Sequence, residues 1–322
     1  MKRVRECHNN SPRRWPRSAF KPALLACLLV FMGSGVARDF TGRGQVDSLR
    51  IEELVRDSGA ESVAVAFYDL ANGETFLIKP DESFHAASTM KLPVMMEVYR
   101  QARAGRISLD APVEVKNDFI SIADGSRYSI SHDSDSELSL YSKVGRTASV
   151  RELVRLMITS SSNLATNILI ERVGAPRVME LMREAGARNI RVLRGVEDGK
   201  AYERGMNNTT TARDLMILLR LIAERRAVSA GASDEMIQIL LGQKFREGIP
   251  SGLPAGVRVA NKTGDISTAN HDAAIVYPPG RKPYVLVVLT RGISDEKRAH
   301  RLIADISKVV YHRGQGAGVR IR

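Results

Sequence analysis

No apolar run in this 322-residue chain is long enough to cross a bilayer as a helix, which takes about 20 residues. The run Ala23 to Met32 is short, follows a basic segment with seven Lys and Arg residues, and precedes the small residues Gly35 and Ala37. This order is typical of a signal peptide that is cleaved after Ala37. We therefore predict a periplasmic or secreted domain of residues 38–322 without a stable membrane anchor. The alternative is that residues 1–37 remain attached as an uncleaved N-terminal anchor.

Cysteine is almost absent. Cys7 and Cys27 are the only two, and both lie in the predicted signal peptide. The mature chain would then have no disulfide, no thiol nucleophile and no cysteine-based metal site. The six histidines are scattered without the paired spacing of metal ligands, and there is no Walker loop and no Rossmann fingerprint. We predict neither a metal nor a cofactor.

Acidic residues are fewer than basic residues, and the formal net charge is +12. Seven basic residues and one acidic residue lie in the predicted signal peptide, so residues 38–322 carry +6. An excess of this size suits an exported protein that meets an anionic cell envelope. It gives no reason to expect nucleic acid as a partner.

The pattern along the mature chain places helices between two groups of strands. Two strands joined by an Asn-Gly turn come early, and three come late, the last two joined by a Pro-Pro-Gly turn. This order predicts an α+β fold of the α/β/α sandwich type, with one antiparallel sheet built from both chain ends and covered by the terminal helices. The sheet lobe would span about 45–80 and 255–312 and a helical lobe about 85–250, with the active site in the cleft between them. The predicted helices are 45–58, 89–103, 149–159, 163–173, 175–185, 210–225, 233–241 and 295–311, and the predicted strands are 62–70, 75–78, 258–263, 271–277 and 284–290.

Three short motifs follow one another: Ser88-Thr89-Met90-Lys91, Ser161-Ser162-Asn163 and Lys262-Thr263-Gly264. Ser88 and Lys91 would share one face of a predicted helix, and Ser88 would lie near its N-terminus, where free N–H groups favour an anion. A lysine in an apolar helix loses its charge more easily and can then take the proton of a serine hydroxyl. Each motif alone is more often a helix cap or the end of a strand. The three together in this order are much rarer.

In this order the motifs are typical of active-site serine enzymes that open β-lactams or process peptidoglycan, and the chain resembles a class A β-lactamase. The stretches 157–169, 208–212 and 271–279 also resemble the family, so the likeness covers roughly residues 45–312. The resemblance implies the fold predicted above. It also implies a monomeric enzyme that acts on a small β-lactam.

The resemblance implies a role for each motif residue. Ser88 would attack the lactam carbonyl and form an acyl-enzyme, with either Lys91 alone or Lys91 and Glu197 taking the proton. Glu197 would then activate the water that removes the acyl group, and the backbone N–H groups of Ser88 and Asp265 would form the oxyanion hole. The expected catalytic residues are Ser88, Lys91, Ser161 and Glu197, and the expected substrate-binding residues are Asn163, Lys262, Thr263, Gly264 and Asp265.

The chain departs from the family pattern in four places. The usual Glu-x-x-Leu-Asn reads Glu197 to Ala201 without the asparagine that helps to hold water, and Asp198 and Glu203 stay as alternative bases. Ser162 stands where aspartate is usual. No arginine lies near Asn270, where the family often binds the substrate carboxylate. The stretch between the first two motifs is longer than usual.

Two local features are expected to be structural. The acidic run Asp133-Ser134-Asp135-Ser136-Glu137 lacks the glycine and the distal glutamate of an EF-hand, so we expect a solvated loop rather than a calcium site. His85 lies close to Ser88 in sequence, and we expect a loop histidine rather than a catalytic partner.

Two other functions stay open. With weak deacylation, the same fold would be a penicillin-binding D,D-peptidase that acts on peptidoglycan stem peptides. A non-turnover β-lactam sensor would need a transmembrane helix or an effector domain, and no such span follows Met32. The absence of a Gly-x-Ser-x-Gly elbow argues against an α/β-hydrolase esterase.

Overall fold

A five-stranded antiparallel sheet forms the centre of the fold, which the computed structural model describes for residues 42–313. Its strands lie side by side in the order Thr75–Ile78, Ser62–Asp69, Tyr284–Arg291, Ala269–Tyr277 and Arg258–Ile266. The first two strands of the chain therefore pair with the last three, and the predicted α+β fold is confirmed. The predicted signal peptide lies outside the described residues.

The elements agree with most of the predicted ranges. The helices are α1 Gly42–Asp57, α2 Lys91–Arg103, α3 Val150–Thr159, α4 Asn163–Val173, α5 Ala175–Glu184, α6 Gly199–Glu203, α7 Ala212–Ala223, α8 Ala230–Leu241 and α9 Glu296–Arg313. The strands are β1 Ser62–Asp69, β2 Thr75–Ile78, β3 Phe84–His85, β4 Pro112–Glu114, β5 Phe119–Ile120, β6 Arg127–Tyr128, β7 Thr147–Ser149, β8 Thr209–Thr210, β9 Arg258–Ile266, β10 Ala269–Tyr277 and β11 Tyr284–Arg291.

The predicted Asn-Gly turn joins β1 to β2. The N–H of Gly73 donates to the carbonyl of Asp69 at 2.8 Å, and the N–H of Asp69 donates to the carbonyl of Glu74 at 2.9 Å. Gly73 has a φ of 75°, a left-handed conformation that glycine adopts without steric cost. The turn sets the register in which Tyr68 lies opposite Thr75.

Side chains of the sheet alternate between two cores. Along β1, Val63 and Val65 face a core that includes residues of α1 and α9, whereas Ala64 and Ala66 face the core shared with the helical lobe. Both sets are fully buried. The period of two along a strand explains this division, and it also explains why the strand is almost continuously apolar.

The turn that carries Ser88 is tighter than predicted. Ala87–Met90 forms one turn of 3-10 helix, and α2 begins only at Lys91, three residues later than Ser88. Pro93 explains the boundary, because it has no N–H to donate to the carbonyl of Thr89 and an α-helix cannot extend back through that position.

The two stretches predicted to be irregular contain short elements. Residues 113–146 include the strand pair β5 and β6, and residues 187–208 include the five-residue helix α6. Elements this short depend on tertiary contacts rather than on a periodic pattern, so periodicity does not reveal them. Within residues 42–313, no helix combines the length and the apolar character needed to cross a membrane.

The carboxyl-terminal helix packs on a glycine. A Cβ at Gly252 would collide with the carbonyl oxygen of Ala304 in α9, so we expect Gly252→Ala to lower the free energy of unfolding by about 1–3 kcal/mol. Denaturant unfolding measures the change. The control is Gly231→Ala in α8, where a Cβ meets no atom within 4 Å. Equal stability of the two variants would contradict this account of the packing.

Candidate active site

The amino group of Lys91 lies at the centre of a cluster of polar groups. Lys91 is the first residue of α2, and its side chain is fully buried. Its Nζ lies 2.9 Å from Oγ of Ser88, 2.6 Å from the carbonyl oxygen of Ser161 and 2.8 Å from Oδ1 of Asn163. The carbonyl and the amide oxygen can only accept, so they take two N–H groups of the lysine. When the amine is neutral, its lone pair is left to accept the proton of Ser88.

The hydroxyl of Ser161 lies between two lysines. Its Oγ is 3.1 Å from Nζ of Lys91 and 3.1 Å from Nζ of Lys262. Lys262 is also fully buried and donates to the carbonyl of Thr263 at 2.8 Å. Ser161 has a φ of 54°, a left-handed conformation that costs a non-glycine residue about 1–2 kcal/mol. The turn before α4 thus holds this hydroxyl in place despite backbone strain.

Burial lowers the pKa of both lysines. The pKa of Lys91 lies well below its usual 10.5, because burial removes water from the ammonium group and the charge of Lys262 lowers the pKa further. The negative charges of Asp135 and Glu197 act in the opposite direction. Burial lowers the pKa of Lys262 to about 8, against the effect of Asp265. Lys91 is therefore the better neutral base, whereas Lys262 remains largely cationic near neutral pH.

The third motif lies on the strand that borders this cluster. β9 is an edge strand of the sheet and packs on the turn that carries Ser88. A Cβ on Gly264 would lie 3.0 Å from the backbone nitrogen of Ser88, so the close approach requires glycine. The sequence predicts a strand that ends at Thr263, whereas β9 continues to Ile266, because Ile266 pairs with Ala269 in a tight hairpin. The motif therefore lies inside the strand.

Two adjoining cavities, of about 350 and 550 Å³, open beside the cluster. Ser88, Asn163, Glu197 and Asp265 line both of them. The larger cavity extends over Ser161 and toward α9, and the smaller extends toward α6. A cleft of this size fits a small molecule. All nine predicted site residues lie in this cleft or directly beneath it.

Glu197 faces the cluster from the loop before α6. Its Oε1 lies 3.3 Å from Nδ2 of Asn163, and its φ is 60°, again a left-handed conformation. Burial raises its pKa above the usual 4.5, although the charges of Lys91 and Arg194 act to lower it. A carboxylate with a raised pKa beside a cavity is suited to take a proton from water.

Asn167 of α4 fixes the backbone next to Glu197. Its Oδ1 accepts from the N–H of Val196 at 2.7 Å, and its Nδ2 donates to the carbonyl of Val196 at 3.0 Å. The same amide leaves no room for a Cβ at Gly195. The hydroxyl of Tyr128 lies 3.1 Å from Nδ2 of Asn167 and completes the contact. The sequence predicts no such role for Tyr128.

The hairpin of β5 and β6 closes over the same loop. Its turn binds the carboxylate of Asp198, which accepts from Oγ of Ser121 at 2.8 Å and from the N–H of Ile122 at 3.1 Å. Asp198 also caps α6, accepting from the N–H of Ala201 at 3.1 Å, and is 2% exposed. These three donors hold the carboxylate against the hairpin and the start of α6, which argues against Asp198 as a base, although it lines the smaller cavity. Glu203 is exposed and does not line either cavity.

The prediction of a solvated acidic loop is wrong for two of its residues. Asp135 and Glu137 are each only 9% exposed. Glu137 accepts from the hydroxyl of Ser139 at 2.5 Å and pairs with Lys244 at 3.4 Å. Asp135 accepts from the backbone N–H of Leu164 at 2.8 Å. The loop is therefore folded against the start of α4 through Asp135, whereas Glu137 finds its donors in Ser139 and Lys244.

Helix α9 supplies a lysine and a histidine to the lining of the larger cavity. Lys297 and His300 line it, although the sequence predicts no part for either. Nε2 of His300 lies 3.2 Å from Oδ1 of Asp265, and this hydrogen bond raises the pKa of His300. Thr263 lines the same cavity as these two residues.

His85 ends the short strand β3 and lines the smaller cavity. Its Nδ1 accepts from the N–H of Ala87 at 3.0 Å, and burial lowers its pKa to about 4. The ring therefore supports the turn before Ser88 as a neutral group.

The contact between Asp198 and the hairpin generates a test. Asp198→Ala would leave two N–H groups and one hydroxyl without their acceptor, at a cost of about 1–3 kcal/mol for each buried group. We expect hydrogen exchange to become at least about tenfold faster in residues 119–128 and 194–205. Mass spectrometry of exchanged peptides measures it, with the exposed Asp133→Ala as the control. Unchanged exchange in both segments would show that Asp198 does not hold them together.

Comparison with known proteins agrees with this geometry. The sequence model of the Beta-lactamase enzyme family matches residues 48–313. The β-lactamase AST-1 of Nocardia asteroides is 29% identical over 311 residues, which cover 91% of this chain and 94% of the relative. A solved β-lactamase from Sphaerobacter thermophilus has a TM-score of 0.72 at 26% identity, covering 84% of this chain and 98% of the other.

A second solved relative is PBP-A, with a TM-score of 0.74 at 27% identity over 84% of this chain and 96% of the other. A mutant of PBP-A has been solved as an acyl-enzyme complex with penicillin G, at the same TM-score and identity. The family match covers most of the chain, and the two solved relatives share its fold over 84% of its length. The chain therefore belongs to the β-lactamase enzyme family and has the fold of a class A-like serine β-lactamase.

Proposed function

We propose that this protein hydrolyses β-lactams through an acyl-enzyme on Ser88. The neutral amine of Lys91 takes the proton of Ser88, and Oγ attacks the lactam carbonyl. The C–N bond of the ring then breaks, and Ser161 passes a proton to the leaving nitrogen while Lys91 returns one to Ser161. The carbonyl oxygen is stabilised by the backbone N–H groups of Ser88 and Asp265.

One observation carries this proposal. A fully buried lysine lies 2.9 Å from a serine hydroxyl at the floor of an open cleft, and a second buried cation lowers its pKa. A serine hydroxyl becomes a nucleophile only when a base takes its proton, and this arrangement supplies the base. A lysine that merely stabilised the fold would be better placed with its ammonium group in water.

Substrate binding follows from the cleft. Lys262 places a positive charge beneath Thr263, whose hydroxyl lies on the cavity wall, and an anionic group of the substrate would be bound there. Nδ2 of Asn163 donates one N–H to the carbonyl of Ser134 and has the other directed to Glu197 at 3.3 Å, and a substrate carbonyl would take this second N–H in place of Glu197. The support from relatives is that AST-1 is a β-lactamase and that a mutant of PBP-A, which shares this fold, was solved as an acyl-enzyme with penicillin G.

Deacylation is assigned to Glu197. Its carboxylate lines both cavities, and the raised pKa makes it a stronger base than a glutamate with the ordinary pKa of 4.5. Glu197 would take a proton from water, and the resulting hydroxide would attack the ester carbon. The bond to Oγ of Ser88 would break, and the proton held by Glu197 would be returned to Oγ.

A D,D-peptidase acting on peptidoglycan stem peptides is the second candidate. The observation that favours it is Ala201, which is buried at the place where the family has the asparagine that helps to hold water. The two functions share acylation and differ in the rate at which water clears the acyl group. The Glu197 geometry favours hydrolysis.

Time-resolved intact mass spectrometry with benzylpenicillin and a chromogenic cephalosporin tests the proposal. We expect a transient adduct with product in solution, and Ser88→Ala should abolish the adduct and lower turnover more than about a thousandfold. The exposed Ser83→Ala is the matched control. A stable adduct without product would favour the peptidase, and labelling of Ser88→Ala would refute the nucleophile assignment. Export is part of the proposal, and the mass of protein from the periplasm or medium shows whether it begins at Arg38.

The role of Glu197 has its own test. Glu197→Gln should slow deacylation by about 10² to 10⁴ and let the acyl-enzyme accumulate, with the exposed Glu203→Gln as the control. Because burial raises the pKa of Glu197, the ionised form is lost as pH falls through that raised value. Wild-type deacylation should therefore fall on the acid side with a midpoint above pH 4.5, and Glu197→Gln should lack this limb. Unaltered turnover would place the base elsewhere.

A further inference from the structure

The carboxylate of Asp135 lies beneath the turn that carries Ser161 and Asn163. Its Oδ2 accepts hydrogen bonds from the backbone N–H of Leu164 at 2.8 Å and from the hydroxyl of Ser162 at 3.3 Å. The residue is 9% exposed. A buried carboxylate is stable only where donors surround it, so these contacts tie the two segments firmly together.

The same loop determines the orientation of an active-site amide. The carbonyl of Ser134 accepts from Nδ2 of Asn163 at 2.5 Å, while Oδ1 of the amide accepts from Lys91 at 2.8 Å. A carbonyl can only accept, so the contact with Ser134 decides which end of Asn163 faces Lys91. Asp135 is held in turn by the hydroxyl of Tyr141 at 3.2 Å. The loop, the amide and the lysine therefore form one chain of hydrogen bonds.

The carboxylate of Asp135 compensates for a change in the second motif. Ser162 stands where the family usually has aspartate, and here its hydroxyl caps α4 by accepting from the N–H of Ala165 at 3.2 Å. It also contacts Asp135, so a carboxylate is present beside the turn but comes from another segment. The negative charge of Asp135 acts on Lys91 by raising its pKa, against the larger effect of burial.

We propose that Asp135 is a positioning residue of the acylation site, taking the place of the carboxylate that Ser162 lacks. Through Ser162 and Leu164 it fixes the turn whose carbonyl and amide hold Lys91, and through its charge it adjusts the basicity of Lys91. The expected effect on the acylation rate rests on the proposed function, whereas the expected effect on the pKa of Lys91 does not.

Acylation by benzylpenicillin, followed by rapid-quench mass spectrometry, tests the proposal. Asp135→Asn removes the charge, and we expect acylation to slow by roughly tenfold to a hundredfold through misplacement of Lys91 and Asn163. Because the charge of Asp135 raises the pKa of Lys91, its removal should also shift the rising limb of the pH profile to lower pH. Asp133→Asn, an exposed change in the same loop, should leave the rate and the profile unchanged.

An exchange of the two residues separates positioning from fold stability. The double variant Asp135→Ser with Ser162→Asp returns the carboxylate to the motif and should recover most of the acylation rate that Asp135→Ser alone loses. A residue needed only for stability would lower the melting temperature without moving the pH profile, and the exchange would not restore the rate. That result, or wild-type acylation by Asp135→Asn, would overturn the proposal.

A readout without substrate keeps this test separate from the proposed function. In protein labelled with ¹³C at the lysine ε-carbon, NMR titration follows Lys91, which is assigned by its loss in Lys91→Met. We expect a lower Lys91 pKa in Asp135→Asn than in the wild type, even if the wild type forms no adduct with penicillin. An unchanged Lys91 pKa would overturn the role of Asp135, whereas a missing wild-type adduct would overturn only the β-lactamase proposal.

Discussion

Enclosure of the Lys91 amino group is the interaction on which the rest of the site depends. An amine removed from water is easily neutral, but it is tolerated in a core only if fixed acceptors surround it. The acceptors are the carbonyl of Ser161 and the amide of Asn163. They lie 70 and 72 residues after Lys91 in the chain. The packing of α2 on α3 and α4 therefore has a chemical purpose as well as a structural one, since it brings that turn to the lysine. A movement that opened this contact to water would remove the desolvation that lowers the pKa of Lys91.

The sheet contributes the second half of the electrostatics. Lys262 extends from β9 to the same hydroxyl of Ser161, and a second buried cation would be unfavourable without nearby negative charge. Asp272, on the paired strand β10, supplies part of it from beneath, accepting from the side chain of Asn261 at 3.0 Å and from the N–H of Ile249 at 2.8 Å. Burial raises the pKa of Asp272 to about 6, so this carboxylate takes up a proton at a higher pH than an ordinary aspartate. The site thus balances two desolvated lysines against the buried carboxylate of Asp272 and the more exposed carboxylates of Asp265 and Glu197. The pKa of Lys91 lies well below its usual value, and the pKa of Lys262 is about 8.

The sequence predicts the parts of this protein whose patterns are local. Helix 163–173 and strand 75–78 agree with α4 and β2 residue for residue, because apolar periodicity and turn residues mark their ends. The motif residues also meet as the resemblance implies, since each lies on a well-patterned element. Local sequence patterns predict neither the hairpin over the loop of Glu197 nor the burial of Asp135. Their stability comes from hydrogen bonds between distant segments, such as Ser121 to Asp198 and Leu164 to Asp135. One signal was present, because Ser162 in the place of an aspartate implies that a carboxylate is missing and must be supplied from elsewhere.

The conformation of the Glu197 loop bears on the proposed choice between the two acyl-transfer functions. A non-glycine residue with a φ of 60° persists only where its neighbours determine it, and strain of this kind clusters at functional sites. Here Asn167 binds both backbone groups of the preceding residue, and Asp198 on the other side accepts three hydrogen bonds. If Glu197 had no catalytic task, a relaxed loop would cost less, and neither the buried Asp198 nor the additional hairpin would be needed. The asparagine that helps to hold water in relatives is absent, yet the backbone that presents the carboxylate is restrained from both sides. The restraint of the Glu197 backbone from both sides supports the proposed hydrolysis of the acyl-enzyme over its slow release.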